Sequence, residues 1–195
     1  MENTRKKNIA IIFPGMGYNS NKPLLYYSKD LAYNLGFEIV EVKYGLLPKD
    51  DLKVAFEQAM SEMRKSLKKQ GVTDFSHYNK ILFLAKSIGT AVSGTLTSEL
   101  IQEEPTLSNK LYNIYFTPVR HSLPMLCGNG IVFHGTADTW VETQAVKEAC
   151  KGLSMNLYIT EKADHSMETG DVLKDLDNMK TIMGQCKEYM ESLLK

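Results

Sequence analysis

Ser87 stands at the end of an apolar run, Ile81-Leu82-Phe83-Leu84-Ala85, and small residues follow it at Gly89, Ala91 and Gly94. That pattern reads as a strand, a sharp turn and a helix lying close against the sheet. A serine on such a turn is held in a strained backbone conformation with its hydroxyl above the sheet edge, which is one way to present a nucleophile. It can also be a simple helix N-cap. A hydroxyl is a weak nucleophile, so it needs a base within hydrogen-bond reach and a third group that orients the base.

The chain has 4 histidines to supply that base. His165 lies in Ala163-Asp164-His165-Ser166-Met167, between the last expected strand and the final helix. His134 ends an apolar strand, which suits a core or turn residue. His77 precedes the Ser87 strand at its amino end, the wrong side of the sheet; His121, after another strand, is on the correct side. For the orienting acid, Asp138 follows Ile131-Val132-Phe133-His134 within Gly135-Thr136-Ala137-Asp138-Thr139-Trp140-Val141. Each has a plainer reading: Asp138 could cap a helix beginning near Val141, and His165 could be a surface loop residue. Asp164 is a weaker acid candidate, because adjacent loop residues usually point apart.

Ala85-Lys86-Ser87-Ile88-Gly89 resembles the G-x-S-x-G nucleophile elbow of the α/β-hydrolase superfamily, with Ala85 in place of the first glycine. The Asp138 segment is similar to that family's acid loop, and the His165 segment to its histidine loop. The order Ser87, Asp138, His165 is the superfamily's chain order, whereas His121 falls between serine and acid. The resemblance runs from Ile9 to the final helix and implies Ser87 as nucleophile, His165 as base and Asp138 as the orienting acid. It also implies an oxyanion hole, one donor being the Ile88 N–H and the other coming from Phe13-Pro14-Gly15-Met16-Gly17-Tyr18. Met16 is the candidate there, Gly15 permits the turn, and Pro14 stands where many relatives have histidine.

By this resemblance the chain is a small lidless serine hydrolase, dienelactone-hydrolase-like or carboxylesterase-like. It would cleave an ester or thioester of a small acyl substrate without metal or cofactor. The alternative is the same fold kept as a catalytically inactive binding or scaffold protein. Only Pro118 to Asn129 separates two of the strands, where many relatives insert a helical cap, so an exposed short-chain acyl group is expected. Gly15, Tyr18, Arg120, His121, Trp140 and Met167 are expected to bind substrate in a shallow pocket, and Arg120 suits a substrate carboxylate. Gly15-Met16-Gly17 followed by Glu38 or Glu41 is also a weak match to a dinucleotide fingerprint, but Ser20 replaces the third glycine and Pro23 starts the helix late.

These residues need a sheet to carry them. Apolar runs predict strands over Ile9–Phe13, Phe37–Tyr44, the Ser87 strand, Leu111–Thr117, Ile131–His134 and Met155–Ile159. Between them, Pro23 to Leu35 closed by Gly36, Asp50 to Gln70, the stretch after Ser87 and Val141 to Lys151 ended by Gly152 carry helical patterns. The final helix has one apolar stripe: Leu176, Met179, Ile182, Met183, Cys186, Tyr189, Met190 and Leu193. Alternating strands and helices predict an α/β three-layer sandwich with a mostly parallel sheet of about six strands. Ligands bind such sheets beyond the carboxyl ends of the strands, where Ser87, Asp138 and His165 all fall.

At 195 residues the chain fits one domain with a full core. Lys+Arg and Asp+Glu both number 23, so no global field favours nucleic acid or a membrane surface. The basic cluster Arg64, Lys65, Lys68, Lys69 suits a helix C-terminus. Arg5-Lys6-Lys7 precedes an apolar run too short for a signal-peptide core or a membrane span, and a cytoplasmic location is expected. Cys127, Cys150 and Cys186 are widely spaced and suggest neither disulfides nor a zinc site; the last two fall on apolar helix faces. Oligomeric state is not indicated.

Overall fold

In the computed structural model, residues 7–153 and 155–195 are described; Arg5 and Lys6, in the basic stretch ahead of the first strand, lie outside them. The strands are β1 (Asn8–Phe13), β2 (Phe37–Glu41), β3 (Lys80–Lys86), β4 (Leu111–Phe116), β5 (Asn129–Gly135) and β6 (Asn156–Thr160). They form one 6-stranded sheet in the order β2-β1-β3-β4-β5-β6, and every neighbouring pair is parallel. Parallel neighbours require crossovers, which are supplied by α1 (Pro23–Asn34), α2 (Leu52–Lys69), α3 (Ile88–Glu103), α4 (Thr143–Leu153) and, between β4 and β5, the 3-10 helix Arg120–Met125, while α5 (Val172–Leu193) follows β6.

Strand alternation sorts the core into two layers. Ile9, Ile11 and Phe13 of β1, with Ile81, Phe83 and Ala85 of β3, pack against Ala59 and Met63 of α2, Val92 of α3 and Cys150 of α4. Ala10 and Ile12, with Leu82 and Leu84, face Leu24 and Ala32 of α1 and Ile182, Cys186 and Met190 of α5. Burying both faces explains why the central strands are unbroken apolar runs.

Helix starts follow local chemistry. Pro23 opens α1, while the Asp51 carboxylate accepts from the Lys53 and Val54 amides at α2 and Asp171 does the same for Leu173 and Lys174 at α5. The strand expected to reach Tyr44 ends at Glu41, because after Val42 bonds to Ile12 the chain leaves the ladder and buries Tyr44 as a loop residue. Gly152 does not end α4 but lies in its last turn, which the Met155 amide closes onto Cys150. The stripe on α5 begins later than expected, since Leu176 is 62% exposed. Among the described residues, no helix is long and apolar enough to cross a membrane.

Candidate active site

Ser87 sits between the end of β3 and the start of α3 at φ 56 and ψ −123, a left-handed conformation that costs a non-glycine residue about 1–3 kcal/mol. The sequence tolerates it because the next turn can come in close. A Cβ on Gly89 would lie 2.3 Å from the Phe13 carbonyl oxygen and 2.6 Å from that of Pro14, so only glycine lets α3 approach the loop after β1. Ser87 occupies the N-cap position, yet its hydroxyl makes no capping bond. It lies instead 3.0 Å from His165 Nε2.

His165 Nδ1 is 2.7 Å from Asp138 Oδ2. A carboxylate only accepts, so Nδ1 carries the proton and Nε2 of the neutral ring is left to accept from the serine hydroxyl. Asp138 does not cap α4; its other oxygen accepts from the Trp140 amide at 2.8 Å. The Asp138 side chain is fully shielded from solvent, and His165 is partly open. Burial pushes the Asp138 carboxyl upward, but the hydrogen bonds from His165 and the Trp140 amide, with the nearby imidazoles, prevail and hold it below the ordinary 3.8.

The histidine loop is pinned from several sides. The Thr117 hydroxyl, at the end of β4, donates to the His165 carbonyl at 3.0 Å. Asp164, weighed above as an acid, instead organises the loop: its Oδ1 accepts from Ser166 and Glu168 amides at 2.7 and 3.1 Å. Gly135 lets this loop sit on the end of β5, where a Cβ would meet the Ala163 oxygen at 2.2 Å.

The loop after β1 is a tight bridge, with Gly15 and Tyr18 exchanging backbone hydrogen bonds at 2.9 and 3.2 Å. Met16 and Gly17 form its tip, Gly17 at φ 72. Met16 and Ile88 border the same cavity as Ser87 and His165. The Ile88 amide, at the first position of α3, has no carbonyl to bond within the helix.

That cavity, of about 790 Å³, is floored by apolar side chains, among them Leu52, Phe56, Ala91 and Met125. Arg120, His121 and Trp140 border it; the Trp140 ring stands 5.9 Å from that of His165. Tyr18, Met167 and Gly15 do not line it. Tyr18 turns into the α1 face, where its hydroxyl accepts from the Leu24 amide at 3.0 Å. Met167 is 1% exposed and anchors the histidine loop in the core. Gly15 is buried behind Ser87, its missing Cβ 3.0 Å from the serine Cβ. Lys49, Leu52, Lys53 and Phe56, from α2 and the segment leading to it, line the cavity without having been signalled by any motif.

Other candidates fall elsewhere. His134 is buried in β5 with Nε2 2.9 Å from the Thr143 hydroxyl, and burial lowers its pKa. His77 is exposed ahead of β3 beside Asp74. Glu41 is engaged by Lys29 and Ser20, Glu38 pairs with Lys7, and α1, the helix that follows the glycines, starts only at Pro23 rather than at the glycines as a dinucleotide fingerprint requires. Lys86, next to Ser87, is 1% exposed and has its ammonium 5.0 Å from the centre of the Tyr18 ring. Burial pushes it down to about 7, against the opposing pull of Asp138 and Asp164.

No protein-family model and no curated protein matches the sequence, but solved structures do match the fold. Est1E from Butyrivibrio proteoclasticus superposes with a TM-score of 0.67 over 99% of this chain and 91% of its own, at 12% identity; one of its structures holds ferulic acid. XC6422 from Xanthomonas campestris, a serine hydrolase without a lid, matches with a TM-score of 0.61 over 97% of this chain and 85% of its own, at 14% identity. MGS-M1, an α/β hydrolase from a Medee basin deep-sea metagenome library, matches with a TM-score of 0.58 over 100% and 87%, at 17% identity. With six parallel strands between two helical layers and only a short 3-10 helix, Arg120–Met125, between β4 and β5, this chain has the α/β-hydrolase fold in a lidless form.

Proposed function

We propose that the protein is a serine hydrolase that cleaves an ester or thioester bond of a small acyl substrate. The observation that carries this reading is the continuous relay from Ser87 Oγ through His165 to Asp138, at 3.0 and 2.7 Å, ending on a serine held at φ 56. Ser87 Oγ attacks the acyl carbonyl while its proton passes to His165 Nε2. Asp138 keeps the imidazole in the required tautomer and stabilises the imidazolium. The oxyanion is received by the Ile88 and Met16 amides, each such donor being worth about 2.7–4 kcal/mol of barrier. His165 then returns the proton to the departing alcohol or thiol, and water repeats the sequence on the acyl-enzyme.

The test is labelling by a fluorophosphonate probe, followed by peptide mapping. An adduct on Ser87 that is lost in Ser87→Ala and His165→Ala is the expected result. Folded protein that takes no label would mark the relay as inactive and move the chain to the class of binding proteins built on this fold.

A further inference from the structure

The ionic residues that line the cavity beside Ser87, other than His165, all carry one sign. Lys49, from the segment before α2, Lys53 of α2 and Arg120 after β4 border it, and among the described residues no carboxylate does so, Asp138 lying behind His165. The carboxylates adjoining these cations do not neutralise them in place. Asp51 is committed to the α2 amides, Glu57 lies 3.9 Å from Lys53 with both side chains largely exposed, and Glu142 meets Arg120 at 3.4 Å, also in solvent. Exposed pairs of that length hold their partners weakly. Between these cations the walls are apolar: Leu52 and Phe56 on one side, Ala91 and Met125 on the other. A neutral acyl chain would satisfy the walls and leave the cations idle, whereas a purely polar anion would waste the walls.

We infer that this site takes an anionic amphiphile, an ester whose apolar acyl chain lies between α2 and α3 and whose far end bears a carboxylate or phosphate held by Lys49, Lys53 and Arg120. The inference rests on Ser87 acting as the nucleophile. It goes beyond a general acyl hydrolase in naming the second pole of the substrate, and it uses cations from two distant parts of the chain that the sheet order β2-β1-β3-β4 brings around one opening.

The experiment compares three p-nitrophenyl esters of matched chain length: the neutral hexanoate, the adipate monoester and 6-phosphonooxyhexanoate. Each is assayed for kcat/KM at low and high salt, with the parent protein and with Lys49→Met/Lys53→Met/Arg120→Met. At about 1 kcal/mol for each unit-charge contact in high dielectric, one or two contacts should make the parent favour an anionic ester by about tenfold at low salt, with the advantage shrinking at high salt. In the triple variant the ratio of anionic to neutral turnover should fall to about one. Preference for only one of the anionic esters identifies carboxylate or phosphate as the recognised group. Equal or better turnover of the neutral ester by the parent overturns the inference while leaving the hydrolase reading intact. No turnover of any ester together with no fluorophosphonate adduct removes the hydrolase reading, and the inference with it.

Discussion

Lys86 offers a quantitative test of how the site is held. Its side chain continues β3 onto the α1 face, is 1% exposed, and faces an aromatic ring rather than a carboxylate within ion-pair distance. Burial pushes its pKa down from 10.5 to about 7. Because the folded value lies below the unfolded one, the native state binds fewer protons between pH 7 and 10.5. This group's penalty is therefore complete below pH 7 and fades as pH rises toward 10.5. At about 1.4 kcal/mol per pH unit, the full penalty is about 5 kcal/mol, and about 2 kcal/mol remains at pH 9. Lys86→Met removes the titration and adds a packing change that does not depend on pH. The stability of the variant relative to the parent should thus be about 2–3 kcal/mol more favourable at pH 6 than at pH 9. Urea unfolding of both proteins at the two pH values measures this. Parallel stabilities at pH 6 and pH 9 would show that the amine keeps its ordinary pKa, and the account of a buried, unneutralised lysine would fail.

Further outcomes follow from the backbone and the relay. Ser87→Gly should be about 1 kcal/mol more stable than Ser87→Ala, because only glycine adopts φ 56 without strain; equal denaturation midpoints would contradict the strained turn. Gly89→Ala should lose about 1–3 kcal/mol or more by forcing a methyl against the Phe13 and Pro14 carbonyls. Its kcat should drop with it as the Met16 loop is displaced, read by thermal unfolding and steady-state assay. Asp138→Asn should lower kcat by about 10⁴-fold through the wrong imidazole tautomer. Since the Asp138 pKa is depressed, its ionised form stabilises the protein above 3.8 and that contribution is lost as pH falls through the folded value. The stability gap between parent and Asp138→Asn should therefore narrow between pH 6 and pH 3, measured by guanidinium midpoints.

The sheet and the relay were legible because their signals are local. Ile9–Phe13 and Ile81–Ala85 are apolar on both faces, as strands covered by two helical layers must be. Ser87, Asp138 and His165 each fall just past a strand, and parallel strands put all such ends on one rim. What the sequence hid depends on which neighbours meet. Tyr18 and Met167 lie in the right loops, but direction is set by tertiary packing: Tyr18 is drawn inward by the Leu24 amide, and Met167, at φ 66, is turned into the core. Leu52 and Phe56 read only as one apolar face of a helix. They reach the cavity because β2, β1 and β3 are adjacent, a fact no periodicity encodes. Thr117 likewise gives no sign in sequence of its φ of 42 or of its bond to the His165 carbonyl.

The uncomfortable features of the molecule gather on that same rim. Ser87, Thr117, Lys162 and Met167 are the described non-glycine residues with positive φ, and all lie at or beyond the carboxyl ends of β3, β4 and β6, with the buried amine of Lys86 beside them. Strained backbone of this kind persists only where the surroundings over-determine it, and here two apolar layers do so, with Phe83, Phe116 and Phe133 fully buried beneath the rim. A sequence chosen for stability alone would relax Ser87 to glycine and replace Lys86 with an apolar residue. The first change deletes the hydroxyl that the proposed function makes the nucleophile and the second leaves it in place, so comparing activity in Ser87→Gly and Lys86→Met separates strain that presents a reacting group from burial that only surrounds it.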